Sequence, residues 1–265
     1  MTVIVDKKNK QQVIDANISN RILYINSLRD TKMDLLKEEN GVQWVFSCFQ
    51  NVLMQNFNAK NSKIVLETIE QVKKRLDGKI GALCCLVNDQ SQPSDLKENL
   101  LLNGFVLADN LYGMSLELEK RNIVVQETPE HFVVKKVNNE PDLNDWVKVV
   151  CETFHIQSYE KPFTDANLST MDLFHHYVGY EKGVPVAAIS ALFAYGVVGI
   201  YWVATVESAR GKGYAPQLLE VVHQHALEEG YKIATLQSSE MAKHLYEKFG
   251  YEHEFTESSI EWYKG

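Results

Sequence analysis

Between Tyr201 and Ala226 the sequence passes from a strand to a helix across a turn with two glycines, an order common in α/β folds whose spacing here carries the information. Tyr201, Trp202, Val203, Thr205 and Val206 are β-branched or aromatic and favour extended backbone. Pro216, Leu218, Leu219, Val222 and Ala226 recur at the spacing of one helical face. Between them lie Arg210, Gly211, Lys212, Gly213, Tyr214 and Ala215. Gly211 and Gly213 can take positive φ and carry no Cβ to hold a ligand away, so successive backbone N–H groups can converge on one anion. The first helical turn adds unpaired donors and the positive end of its dipole. The segment reads as a cradle for a group such as pyrophosphate.

The spacing separates this cradle from better-known ones. No Gly-Lys-Ser/Thr ending is present, and Pro216 follows where a dinucleotide fingerprint wants a third glycine. What matches is Arg210-x-x-Gly213-x-Ala215 after an apolar strand ending near Thr205. A second motif follows about thirty residues on. Residues 232–237 form a candidate strand, and Ser238 or Ser239 is a suitable N-cap for a helix carrying Ala242, Leu245, Tyr246 and Phe249 on one face. Gly250 sits where a C′ glycine ends a helix.

Together these motifs resemble the acetyl-CoA signature of the GNAT acyltransferase superfamily, over residues 132–263, about half the chain. The resemblance implies a mixed α/β fold, a twisted sheet flanked by helices, with acetyl-CoA as cosubstrate. It assigns CoA binding to Val203, Ala204 and Thr205, whose backbone would pair with the pantetheine arm, to Arg210, Gly211, Lys212, Gly213, Tyr214, Ala215 and Pro216, and to Ser239. It makes Tyr246 the acid that protonates the departing thiolate; the other reading of Tyr246 is a packing residue on an amphipathic helix.

Composition narrows the function. With 45% hydrophobic residues the chain can bury a sizeable core, and its net charge of −8 argues against nucleic acid or an anionic membrane as the main partner. No apolar run approaches the roughly twenty residues that cross a bilayer, and the N-terminus lacks a leader pattern, so a cytoplasmic protein is expected. Cys48, Cys84, Cys85 and Cys151 have no zinc spacing and read as reduced, buried residues. His175-His176 and His223-x-His225 would point in different directions, so no metal is expected.

The elements expected upstream are a strand over 132–137, a helix over 142–154, and a hairpin of 173–180 with 184–193 around Glu181, Lys182 and Gly183. The first half resembles the second at its end. Residues 96–118 align without a gap on 242–264, placing Gly104 on Gly250, Phe105 on Tyr251 and Leu100 on Tyr246. The chain therefore reads as a tandem of two related lobes. Residues 1–122 would be a degenerate lobe without a CoA site, and 123–265 the catalytic one, joined near Glu119 to Glu130. The first lobe's cradle would fall between Gly41 and Gly78, where there is no glycine.

The expected activity is transfer of an acetyl group from acetyl-CoA to a primary amine, on a small molecule or a peptide N-terminus, in a ternary complex. The acidic chain mildly favours a cationic acceptor. The general base is missing: Gly199, Ile200 and Tyr201 occupy the neighbourhood where some relatives carry a glutamate, and Glu207 reads as solvent-facing or capping. Water, Tyr201, His175 or His176 remain as proton acceptors. The contrasting function is a CoA-sensing or interaction module that performs no transfer.

Overall fold

The computed structural model of the chain describes residues 5–122 and 131–264. The first half runs α1 (Lys10–Ser27), β1 (Leu36–Glu39), β2 (Val42–Phe46), β3 (Val52–Gln55), α2 (Ser62–Arg75), β4 (Ala82–Asn88), α3 (Leu96–Leu102) and β5 (Val106–Glu117). The second half opens with β6 (Phe132–Lys136) and then repeats that order with one extra helix. Its elements are α4 (Glu140–Thr153), α5 (Glu160–Leu168), β7 (Phe174–Glu181), β8 (Val184–Ala194), β9 (Val197–Thr205), α6 (Tyr214–Glu228), β10 (Ile233–Ser238), α7 (Glu240–Phe249) and β11 (Glu252–Tyr263). The expected second-half elements lie within about two residues of these bounds. α4 starts early because the Asn139 side chain accepts from the Asp142 N–H at 2.9 Å, and Pro141 tolerates the first turn. Of the joint expected at 119–130, residues 123–130 lie outside the described residues.

The overlay of the two closing segments holds to the residue. β5 and β11 span the same length at one offset (252 − 106 and 263 − 117 both give 146), and Gly104 and Gly250, at φ 84° and 95°, end the helices before them.

The sheet order is β1-β2-β3-β4-β11-β5-β10-β9-β8-β7-β6. Each half therefore surrenders its last strand to the other. β5 leaves the first half to pair antiparallel with β10, and β11 leaves the second to pair antiparallel with β4. The two exchanged strands also pair with each other, so one sheet runs through both halves. On the first half Trp44, Met54, Ile69, Leu83, Leu96 and Leu100 are buried in one core. A larger one around Trp146, Phe163, Leu192, Leu218 and Phe249 reaches across the exchange to Tyr24, Met114 and Leu116.

α1, unforeseen in the sequence, carries the first half onto the second. Its buried face includes Asn17 and Asn20. The Asn20 amide donates to the carbonyls of Leu192 and Ala194 at 3.0 and 3.1 Å, and its oxygen accepts from the Tyr201 hydroxyl at 2.8 Å. A Cβ on Gly199 would stand 2.0 Å from the Asn20 Oδ1, so the missing side chain of β9 is what admits the helix.

The exchange predicts the fate of an isolated second half. Deleting residues 1–122 removes both neighbours of β11, the β5 partner of β10 and the helix over β9. The fragment should expose apolar surface worth about 25 cal/mol per Å² and aggregate. Size-exclusion chromatography and denaturant unfolding test this; a monomeric fragment with a cooperative transition like that of the full chain would refute it.

Candidate active site

The turn between β9 and α6 has the geometry of an anion cradle. Gly211 and Gly213 adopt φ 78° and 79°, and a Cβ at either would meet nothing within 4 Å, so conformation rather than crowding calls for glycine. Gly213 is the N-cap of α6, no side chain caps that helix, and its first turn holds no acidic residue. Among the described residues, the N–H groups of Gly211 to Ala215 have no hydrogen-bond acceptor. Pro216 has no N–H to leave unpaired. Arg210 donates from Nε to the Thr205 carbonyl at 3.3 Å. All of these residues except Lys212 line a recess of about 380 Å³, closed on the far side by Leu245 and Lys248 of α7.

Two of the expected binding residues contribute backbone but direct their side chains elsewhere. Lys212 donates to both carboxylate oxygens of Glu181 at 2.9 Å, which holds that carboxyl below the usual range. The Tyr214 ring stacks on Phe132 at 4.0 Å. Lys248 brings a cation that the motif did not reveal, because it comes from another helix.

The recess continues into a cleft of about 520 Å³, with Thr205 and Arg210 lining both. The cleft exists because β9 and β10 part. They pair in parallel only at Val198, Gly199 and Ile200. A bulge follows at Trp202, whose φ is 51°, and the edge from Tyr201 to Thr205 has no strand partner on the β10 side. Val203 and Thr205 line the cleft, whereas the Ala204 side chain is buried. Ser239, the N-cap of α7, and Tyr246 close the opposite wall. The Tyr246 hydroxyl has no hydrogen-bond partner among the described residues, and burial pushes its phenol upward, so it stays protonated at neutral pH.

The proton acceptors suggested by the sequence are not brought here. His176 is buried, bonded through Nδ1 to the Ser190 hydroxyl at 2.6 Å and packed on Trp146; burial pushes it down to about 3. His175 stacks on His225 at 5.1 Å, away from the cleft, and burial pushes it down to about 4. Tyr201 lines the cleft, but its hydroxyl is committed to Asn20. Asn20 also fills the space before Gly199. The charged side chains lining the cleft are Arg21 and Arg210, with no carboxylate among the described residues. No group of three His, Cys, Asp or Glu among the described residues is placed to hold a metal.

In the first half, the counterpart of the cradle lies at residues 56–61, between β3 and α2. There Asn61 caps α2 itself, accepting from the Ile64 N–H at 3.1 Å. The neighbouring cavity measures only about 170 Å³, and Leu100, in the place of Tyr246, is fully buried.

Comparison with known proteins gives a family match for part of the chain and a likeness of fold for most of it. Residues 143–251 match the family model described as Acetyltransferase (GNAT) family. No curated protein matches the chain. Among solved structures, a GCN5-related N-acetyltransferase from Kribbella flavida superposes at TM-score 0.69 with 18% identity, covering 94% of this chain and 96% of that one. A functionally unknown conserved protein from Staphylococcus epidermidis also gives 0.69, at 16% identity over 95% and 100% of the two chains. A tandem GNAT protein from the clavulanic acid biosynthesis pathway gives 0.61 at 10% identity over 84% and 78%. At such identities the likeness is one of fold.

The buried imidazoles predict acid sensitivity. His176 and His223 are each held down to about 3 by burial, against about 6.5 in an unfolded chain. Below that value the unfolded chain binds protons that the folded one refuses, so stability falls with falling pH, by up to about 1.4 kcal/mol per unit for each histidine. Urea unfolding between pH 7 and 4 should show a shallower loss in His176→Gln/His223→Gln than in the wild type; equal slopes would acquit these residues.

Proposed function

Residues 143–251 form a GNAT acetyltransferase domain, and from that premise we propose that the chain transfers an acetyl group from acetyl-CoA to a primary amine by direct attack in a ternary complex. The observation that carries this is the continuity of one groove, from the five free N–H groups of residues 211–215, along the unpaired edge of β9, to the free hydroxyl of Tyr246. Acetyl-CoA supplies the activated thioester. The cradle, with Arg210 and Lys248, would hold its diphosphate. The backbone of Val203, Ala204 and Thr205 would take its arm as an added strand and offer N–H donors to the thioester carbonyl. As the amine nitrogen bonds to the carbonyl carbon and the carbon–sulfur bond breaks, Tyr246 would give its proton to sulfur.

The absence of a carboxylate base is consistent with this chemistry. The residues lining the cleft offer an ammonium group no carboxylate partner, so none of them holds the acceptor in its protonated form. Water then suffices to carry the proton away. The same absence favours a second reading, a CoA-sensing module without turnover, against which the unpartnered Tyr246 hydroxyl stands. We place the protein in the cytoplasm, where its four free, buried cysteines would remain reduced.

Incubating the protein with acetyl-CoA and a pool of amines, and following thiol release, tests the reading directly. Release that depends on amine supports transfer; tight acetyl-CoA binding with no release over background would favour the sensing module. Within an active enzyme, Tyr246→Phe should lower kcat about ten- to a hundredfold with little change in the KM for acetyl-CoA. Gly213→Asp should cut acetyl-CoA affinity at least about a hundredfold by calorimetry, since a carboxylate would sit where the dipoles converge. Undiminished affinity in a folded Gly213→Asp protein would remove the cradle from the binding site.

A further inference from the structure

Resting on the acetyltransferase reading, we infer that the acceptor is an amine bearing a carboxylate, an amino acid or a close analogue, and that Arg21 binds the carboxylate. Arg21 belongs to α1, so the first half would supply the acceptor contact for the second half's chemistry.

The guanidinium is held rather than free. Its Nε donates to Glu257 Oε1 at 3.2 Å, and the two side chains are only 13% and 5% exposed. The Tyr24 ring lies 5.1 Å from the guanidinium carbon and stacks on Tyr201 at 4.0 Å, while Tyr201 is tied to Asn20. Among the described residues its carboxylate contact is through Nε alone, and the Tyr24 side chain is its other hydrogen-bond partner. A guanidinium positioned in this way, with N–H groups left beyond its contacts to Glu257 and Tyr24, is matched by a planar anion with two oxygens. Arg21 stands between the cleft and the small first-half cavity, but only the cleft combines it with Tyr246 and the open edge of β9.

The electrostatics favour this class over a cationic acceptor. With Arg21 and Arg210 as its charged lining, the cleft gives an acceptor cation no counter-charge, whatever the net charge of −8 over the whole chain. Glu257 already supplies one negative charge beside Arg21, which favours a carboxylate monoanion over a phosphate dianion. The carboxylate of an amino acid also stabilises its own ammonium group. Engaging it with Arg21 weakens that effect and helps release the neutral amine, in a cleft without a carboxylate base.

The test uses the full chain and matched acceptors: an amino acid, its carboxamide and its aminophosphonate. Wild-type kcat/KM for the amino acid should exceed that for the amide by about a hundredfold or more. Glu257→Gln, which frees the guanidinium of its counter-charge, should raise that ratio. Arg21→Gln/Glu257→Gln, which leaves no unpaired charge behind, should bring it near one. A purely structural pair would not move the ratio in opposite directions. If the double variant fails to fold, Arg21→Lys keeps the charge without the fork and should raise the KM for the amino acid about tenfold while kcat stays within about twofold. Amide turned over as well as acid, phosphonate preferred to carboxylate, or a ratio that survives loss of Arg21 would overturn the inference while leaving acetyl transfer intact. No thiol release with any acceptor would overturn the acetyltransferase reading, and this inference with it. Calorimetry with the N-acetylated amino acid needs no turnover and should show binding in the wild type that the double variant loses.

Discussion

The structure depends on the exchange of its two closing strands. β11 has no hydrogen-bonded neighbour from its own half, since both of its partners, β4 and β5, belong to the first. β10 likewise relies on β5 for one of its edges. A strand left open on such an edge is a template for aggregation, and here each half closes the other. The arrangement also decides where α1 goes. With the sheet continuous, α1 rests on β9, where Asn20 meets the space left by Gly199 and satisfies three polar groups of the second half. A lobe that has no glycine cradle of its own thereby becomes a wall of the other lobe's cleft, through Arg21, Tyr24 and Leu111.

The cleft is an unfinished part of the same sheet. Parallel pairing of β9 and β10 stops after Ile200, and the bulge at Trp202 turns the strand away. Backbone groups excluded from a ladder need partners, and an extended ligand arm is a suitable one. Trp202 keeps the bulge in place by packing on Phe154 and Phe163 at 5.3 and 5.1 Å, and on Tyr24 at 6.3 Å. Rigid aromatic contacts thus hold open an edge that would otherwise pair.

What the sequence disclosed was local. The cradle, the order of second-half elements and the common offset of the closing strands follow from neighbours in the chain, where glycine, N-cap and periodicity signals act. α1 escaped because its buried face places Asn17 and Asn20 where the pattern wants apolar residues, and their amides are satisfied only by distant carbonyls and side chains. The exchange of β5 and β11 escaped because pairing partners far apart in sequence leave no local mark. Arg21 and Lys248 were invisible for the same reason, each reaching the groove from an element remote from the cradle. His175 and His176 stayed open as proton acceptors because the sequence does not tell which strand borders the cleft, and β7 lies two strands away from its edge at β9.

The two helix starts at equivalent places differ in what satisfies their backbone donors. At α2 the Asn61 side chain accepts the Ile64 N–H, so the helix brings its own acceptor. At α6 the N-cap is Gly213, which has no side chain to offer, and the donors remain for an external anion. A cap contributes about 1 kcal/mol to the helix it closes. Its absence at α6 leaves a local instability that ligand binding can offset, whereas its presence at α2 removes the demand for one. Leu100, in the place of Tyr246, packs into the first-half core, where Tyr246 lines the cleft. The first half satisfies its own backbone at this turn and forms a wall of the cleft, whereas the second leaves donors at its turn open to an external anion.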